Sequence, residues 1–195
     1  QHTLLMEWLD ARGIPAVAAR EPGGTQVGEA IREVLLHRRE FDMPAETELF
    51  LMLGSRAAFV RGVVRPALDS GAVLVSDRFE LSTFAYQGYG RGLPLGEVRE
   101  ANRLATGGIE PDLCIVLDMP VSEALARQGA RGASDRIESA GSVFMERVHR
   151  GYRELARSEP RAELVEGAGD PEEVQERIRA LLMARFPETF SASPG

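Results

Sequence analysis

Val73-Leu74-Val75-Ser76-Asp77-Arg78 is an apolar run that closes on an acid and a base, and Ala85-Tyr86-Gln87-Gly88-Tyr89-Gly90-Arg91-Gly92 follows soon after. The run predicts a buried strand, and polar residues at the carboxyl end of such a strand lie where open α/β sheets bind ligands. Arginine carries a planar fork of donors that grips a phosphate at two points, and an aspartate beside it can hold a magnesium ion through water. The pair points to a nucleotide.

Outward from that stretch, strand patterns alternate with helical ones, which predicts a doubly wound parallel sheet with helices on both faces. Leu4, Leu5, Trp8 and Leu9 stripe a first helix that Gly13 stops, and Pro15 to Ala19 form a strand ending at Arg20. Thr25 caps a helix with Val27, Ile31, Val34 and Leu35 on one face. Pro44 opens a long helix, its first turn suited to proline, with Leu49, Leu53, Ala57, Val60, Val64 and Leu68 along the expected buried side. Helices near Ser82 to Tyr86 and over Leu95 to Thr106 lead to a strand at Leu113 to Leu117, ending at Asp118. A helix from Pro120, an arginine-rich segment Arg127 to Arg136, and a helix through Phe144, Val148, Tyr152 and Leu155 come next. A short strand at Leu164 and Val165 ends at Glu166, and Val174, Ile178, Leu181 and Leu182 stripe the last helix. Four strand ends thus carry Arg20-Glu21, Asp77-Arg78, Asp118 and Glu166 along one edge. Residues 1–188 read as one domain, and 189–195 as a frayed, disordered tail.

Composition narrows the function. A net charge of -7, from 23 basic and 30 acidic residues, argues against a broad footprint for nucleic acid or an anionic membrane. No apolar run approaches the roughly 18 residues of a membrane span, and the start lacks the layout of a signal peptide. The single cysteine, Cys114, sits within an apolar run, so no disulfide framework exists and a reducing cytoplasm is the simplest compartment. The three histidines show no metal-ligand spacing. Every basic residue is arginine, which excludes Schiff-base chemistry and lysine general bases from this chain.

Four motifs in register, Arg20-Glu21-Pro22-Gly23-Gly24-Thr25 with Gly28-Glu29-Ala30-Ile31-Arg32, Asp77-Arg78, Ala85 to Leu93, and Arg131-Gly132 with Asp135-Arg136-Ile137-Glu138, resemble the bacterial thymidylate kinases, P-loop nucleoside monophosphate kinases. The resemblance runs from Gln1 to about Arg185. It implies transfer of the γ-phosphoryl group of ATP to dTMP, giving dTDP and ADP, with Mg2+ as cofactor and a homodimer formed through the long helices. It further implies that Arg78 grips the acceptor phosphate, that Asp77 orients it or the magnesium, and that Arg56 reaches the phosphate or base. Tyr86 matches the position that packs on the sugar and disfavours a ribose 2'-hydroxyl, Thr83 and Gln87 lie near the thymine edge, and Glu21 and Pro22 line the substrate site. The segment at about 127–140 resembles the mobile lid over ATP, with Arg127, Arg131 and Arg136 as groups for the transferred charge.

The chain also departs from the family pattern. Met52 stands where an aromatic usually faces thymine and reads either as core packing or as a polarisable base platform. Leu81 replaces a frequent aspartate, and Ala58-Phe59 replace a polar pair. Arg127 reads equally as a solvated helix residue and Arg91 as a loop anchor, whereas for Asp77-Arg78 a strand-end ion pair is the lesser reading. Gln1 stands at the position that follows the family's first strand and phosphate loop, and no lysine elsewhere replaces the loop's own. Without a central strand its neighbours keep unpaired backbone groups, each costing about 1–3 kcal/mol if buried, so this chain is expected to be unstable or partly folded alone. We therefore expect an excerpt of a kinase roughly 15 to 20 residues longer. The alternative is a non-catalytic nucleotide-binding or dimerisation protein that has lost its phosphate loop.

Overall fold

The computed structural model describes residues 1–38, 40–129 and 135–191. In chain order the elements are α1 (His2–Ala11), β1 (Ala16–Arg20), α2 (Gln26–His37), α3 (Ala45–Phe59), a π-helical stretch Val60–Val64, α4 (Arg65–Asp69), β2 (Val73–Asp77) and α5 (Glu80–Thr83). A second π-helical stretch, Phe84–Gly90, leads to α6 (Leu95–Thr106), β3 (Cys114–Asp118), α7 (Val121–Gly129), α8 (Ser142–Ser158), β4 (Ala162–Glu166), α9 (Pro171–Arg185) and α10 (Pro187–Phe190).

The strands pair in parallel, β1 with β2 from Ala16↔Val73 to Arg20↔Asp77, and β3 with β4 from Cys114↔Ala162 to Asp118↔Glu166. That register gathers all four carboxyl ends as expected. Side chains alternate across each strand, and so do the cores they join. Val73, Val75 and Ile115 pack into a cluster with Leu5, Leu9, Ile178 and Leu182 of α1 and α9. Cys114 and Val116 point to the other large cluster, built on Leu35, Leu53, Phe84, Val98 and Phe144. Helices therefore cover both faces, and the α/β reading holds. The strands form two separate two-stranded pairs. No described segment bridges β2 and β3, so Val73 to Ser76 stay only half-buried, and the His2 ring Nε2 lies 3.0 Å from the Val75 carbonyl oxygen.

Local chemistry explains most boundaries. Thr25 caps α2, its Oγ1 accepting from the Gly28 amide at 3.0 Å. Thr25→Ala should cost about 1 kcal/mol, read as a lower urea midpoint at unchanged slope. Gly107 ends α6 in the left-handed region, φ 62°, where glycine carries no Cβ penalty. Pro44 sits one residue before α3 rather than inside it. Along that long helix Leu49, Leu53, Val60 and Val64 are buried as expected, but Ala57 and Leu68 face solvent. The buried stripe runs through Met52, Arg56 and Phe59, and after the wider π turn it continues at Ala67 instead of Leu68. The carboxyl end also differs from expectation. Thr189 and Phe190 belong to α10, and Phe190 is buried, its ring 6.0 Å from Trp8 and 6.1 Å from Phe186. Residues 192–195 of the expected tail lie outside the described residues.

Candidate nucleotide site

At the carboxyl end of β2, Arg78 adopts φ 75°, a left-handed conformation rare for a residue with a side chain, and its carbonyl accepts from Ser76 Oγ at 2.7 Å. Its guanidinium lies over the Tyr86 ring, 5.1 Å from the centroid. Tyr86 is in turn held edge-on by Phe144 at 6.0 Å and Tyr152 at 6.2 Å, both from α8. Ser82 Oγ and the Tyr152 hydroxyl lie 2.7 Å apart, and burial pushes that phenol up to about 12, so it stays neutral. The sequence did not single out Phe144 or Tyr152 for the site; both read as ordinary core residues on a striped helix.

Behind this edge lies a buried polar node. Arg56 is wholly buried and donates from Nε to Glu21 Oε2 at 2.9 Å and from Nη2 to the same oxygen at 2.7 Å. Its Nη1 donates to Thr83 Oγ1 and to Asn102 Oδ1, both at 2.8 Å, and its face stacks on Phe79 at 5.0 Å. Burial raises the Glu21 carboxyl above its ordinary value, and the Arg56 charge opposes that rise without cancelling it. Arg56, expected to reach the phosphate or base, has no exposed guanidinium surface here, because Glu21, Thr83 and Asn102 hold four of its donors; Thr83 and Gln87 are equally buried. Glu21 and Pro22, joined by a cis peptide, are likewise buried.

A second node centres on Glu48, fully buried on α3. It accepts from Arg91 Nε and Nη2 at 3.0 and 2.9 Å, from Gln87 Nε2 at 2.9 Å, and from Arg136 Nη2 at 2.6 Å. Burial alone would raise this carboxyl, but the bonds from Arg91, Gln87 and Arg136 outweigh it and hold it below its usual range. Gln87 Oε1 is buried with no hydrogen-bond partner among the described residues. Glu48 escaped the sequence reading because a glutamate on an amphipathic helix ordinarily faces water. Arg136 also bonds the Leu35 carbonyl at 2.8 Å through Nε, so it anchors the stretch before α8 to α2 and is not a free cation. Met52 is buried in the core with Leu49 and Leu53, which favours packing over a base platform.

The other arginines divide the same way. Arg127 pairs with Glu123 at 2.6 Å on the exposed face of α7, Arg91 anchors its loop on Glu48, and Arg20 pairs with Glu29 at 2.9 Å. Arg131 lies outside the described residues. Among the described residues expected at the site, Arg78 is the arginine without a carboxylate partner. Arg32, which the sequence offered only as part of a motif, holds its proton less tightly than usual: burial comes first and the Arg20 charge next, the Glu29 and Asp135 carboxylates oppose them, and the Arg78 charge adds a smaller push in the same direction as burial. Its Nη1 donates to the Pro22 carbonyl at 2.9 Å. Arg78 and Arg32 thus feel each other's charge, with the Glu29 and Asp135 carboxylates acting on Arg32 as well. Asp77 is exposed and makes no ion pair among the described residues.

Paired parallel strands between two helical layers, with Arg20 and Arg78 at the carboxyl ends of β1 and β2, have the form of a nucleotide-binding α/β protein. A family model described as thymidylate kinase matches residues 1–178. The chain is 45% identical over 192 residues to the thymidylate kinase of Desulforudis audaxviator, covering 96% of this chain and 86% of that one. It is 45% identical over 188 residues to that of Desulfovibrio desulfuricans, covering 92% and 87%. The solved thymidylate kinase structure from Ehrlichia chaffeensis superposes with a TM-score of 0.74 at 25% identity, over 93% of this chain and 89% of that one. The chain belongs to the thymidylate kinase family.

Proposed function

We propose that this chain catalyses transfer of the γ-phosphoryl group of ATP to the 5'-phosphate of dTMP. Family membership supports the reaction, and Arg78 carries the assignment of the acceptor site: a cation with no carboxylate partner among the described residues, at the carboxyl end of a strand, over an aromatic ring. In this reading Arg78, with Arg32 beside it, takes the acceptor phosphate, and Tyr86 packs on the deoxyribose. Gln87 and Thr83 form the polar floor near the base, with the unpartnered Gln87 Oε1 as an acceptor for a thymine N–H. Phosphoryl transfer needs positioning and charge neutralisation more than covalent help from protein groups, and an all-arginine cation set suits that task.

The described residues hold no cluster of three or more acidic, histidine or cysteine side chains able to cage a metal. They fit magnesium in the manner it usually binds, through few protein carboxylates, several waters and the substrate phosphates, with Asp77 as the carboxylate at hand. When bound it neutralises charge on the phosphates. A homodimer belongs to the same proposal. Phe50, 67% exposed, shares an outward stripe with Gly54 and Ala57 on α3, and an unpaired apolar stripe suits burial against a second copy. No helix among the described residues is long and apolar enough to cross a membrane. A cytoplasmic location is proposed with the rest, supported by the free, half-buried Cys114.

An ADP-release assay with ATP and dTMP tests the reaction. Turnover with dTMP, well above that with CMP or GMP, is expected. No ADP release with dTMP, or a preference for CMP or GMP, would overturn the proposal.

A further inference from the structure

Asn102, on α6, stands between two charged groups of opposite kind. Its Oδ1 accepts from Arg56 Nη1 at 2.8 Å, and its Nδ2 donates to Glu80 Oε2 at 2.9 Å. Asn102 is 2% exposed. An arginine only donates and an ionised carboxylate only accepts, so the primary amide between them has one favourable orientation of its two possible ones. With the amide reversed, Nδ2 would face the guanidinium and Oδ1 the carboxylate, and both hydrogen bonds would become repulsions.

The consequence falls on Arg56. Four of its five N–H groups are engaged: Nε and one Nη2 hydrogen by Glu21, and both Nη1 hydrogens by Thr83 and Asn102. Three partners on three different elements over-determine the plane of a rigid fork, and that plane in turn sets where Glu21 and the Thr83 hydroxyl sit. Glu80 stands outside this inner set. It is held by Asn102 and lines, with Arg99 and Cys114, a cavity of about 460 Å³ at the amino ends of β3 and β4, the edge opposite the nucleotide site. Burial raises its carboxyl above the ordinary value, as suits a group drawn partly out of water to hold one amide.

We infer that Glu80 and Asn102 are positioning residues for the substrate site: Glu80 sets the direction of the Asn102 amide, and Asn102 completes the grip that holds Arg56 against Glu21 and Thr83. This rests on the dTMP-site reading above. Neither residue touches substrate, so the effect passes through Arg56.

The test measures dTMP affinity by calorimetry, kcat and KM by ADP release, and melting, on the full chain. Asn102→Ala and Glu80→Leu should each weaken dTMP binding about tenfold, the worth of one hydrogen bond to a charged group, while kcat falls less than roughly threefold. Glu80→Gln keeps an acceptor for Nδ2 and should recover most of the affinity. In an Arg56→Met background, Asn102→Ala should add no further loss, because its route to the substrate is gone. If the Arg56→Met protein does not fold, the contrast between Glu80→Leu and Glu80→Gln decides. Unchanged dTMP affinity in Glu80→Leu, equal damage from Glu80→Gln and Glu80→Leu, or a further loss in the Arg56→Met background would overturn the inference. Wild-type protein that binds no dTMP would instead overturn the functional reading beneath it.

Discussion

Arg78→Ala should lower kcat/KM for dTMP about a thousandfold, or about 4 kcal/mol of transition-state stabilisation, while leaving the melting temperature nearly unchanged. The activity loss follows from the position of the guanidinium, which lies over Tyr86 at the carboxyl end of β2 and has no carboxylate to neutralise it among the described residues. A phosphate that loses such a partner loses charge-assisted, two-point contact that water replaces poorly. The loss of stability should stay small: the arginine makes no ion pair among the described residues, its contact with the Tyr86 ring is worth about 1 kcal/mol, and alanine keeps the same left-handed backbone cost. Arg78→Gly sharpens the contrast. Glycine occupies φ 75° without the penalty of about 1 kcal/mol that any Cβ incurs, so this variant should melt at or slightly above wild type and be as inactive as Arg78→Ala. Such strain belongs to sites where function selects the side chain over the backbone preference. Retained activity in either variant, or a large fall in melting temperature for Arg78→Ala, would make Asp77-Arg78 a structural pair instead.

Glu48→Ala should destabilise the fold by about 3 kcal/mol, because two arginines and a buried glutamine then lose their shared acceptor. Arg91 and Arg136 keep 23% and 13% of their side chains exposed, so water relieves part of the cost and the value falls at the low end for a broken buried pair. The effect has a pH signature. The Glu48 carboxyl titrates below its ordinary value in the folded protein, so its contribution is fully present above the unfolded-state value of about 4.3 and is lost as pH falls through the folded one. The stability gap between wild type and Glu48→Ala should therefore be flat from neutral pH down to about pH 5.5 and shrink below about pH 4.3. Urea unfolding of both proteins at a series of pH values measures it. A gap that stays constant into acid would mean that the carboxylate charge does not hold the node.

Hydrophobic period and turn chemistry made most of this architecture legible in the chain. Each strand was visible as a short apolar run ending in a charged residue, and the register matches it: the parallel pairs hold the mostly half-buried runs side by side and bring their last residues to one edge, Arg20 opposite Asp77 and Asp118 opposite Glu166. Thr25 announced the start of α2 because a hydroxyl before a helical stripe satisfies an otherwise orphaned amide. The motif spacings named the family and drew attention to Arg78 and Tyr86, which lie close in sequence, on a strand end and on the helical turn that follows it.

What the chain could not announce were partnerships between residues far apart in sequence. Arg56 looked like a ligand arm because nothing local reveals that Glu21, Thr83 and Asn102 close around it. Arg136 looked like a free catalytic cation because its partner, Glu48, lies 88 positions away. Phe190 looked like part of a loose tail because Trp8, at the other end of the chain, supplies the surface that buries it. The outward position of Leu68 depends on a π turn that pattern alone does not show. Elements, their order and their charged ends follow from short-range periodicity and capping, which each segment carries in its own residues. Whether an arginine is a ligand arm or a buried anchor depends on which carboxylate the folded chain brings against it, and that is settled by long-range packing, where desolvation and pairing are decided together.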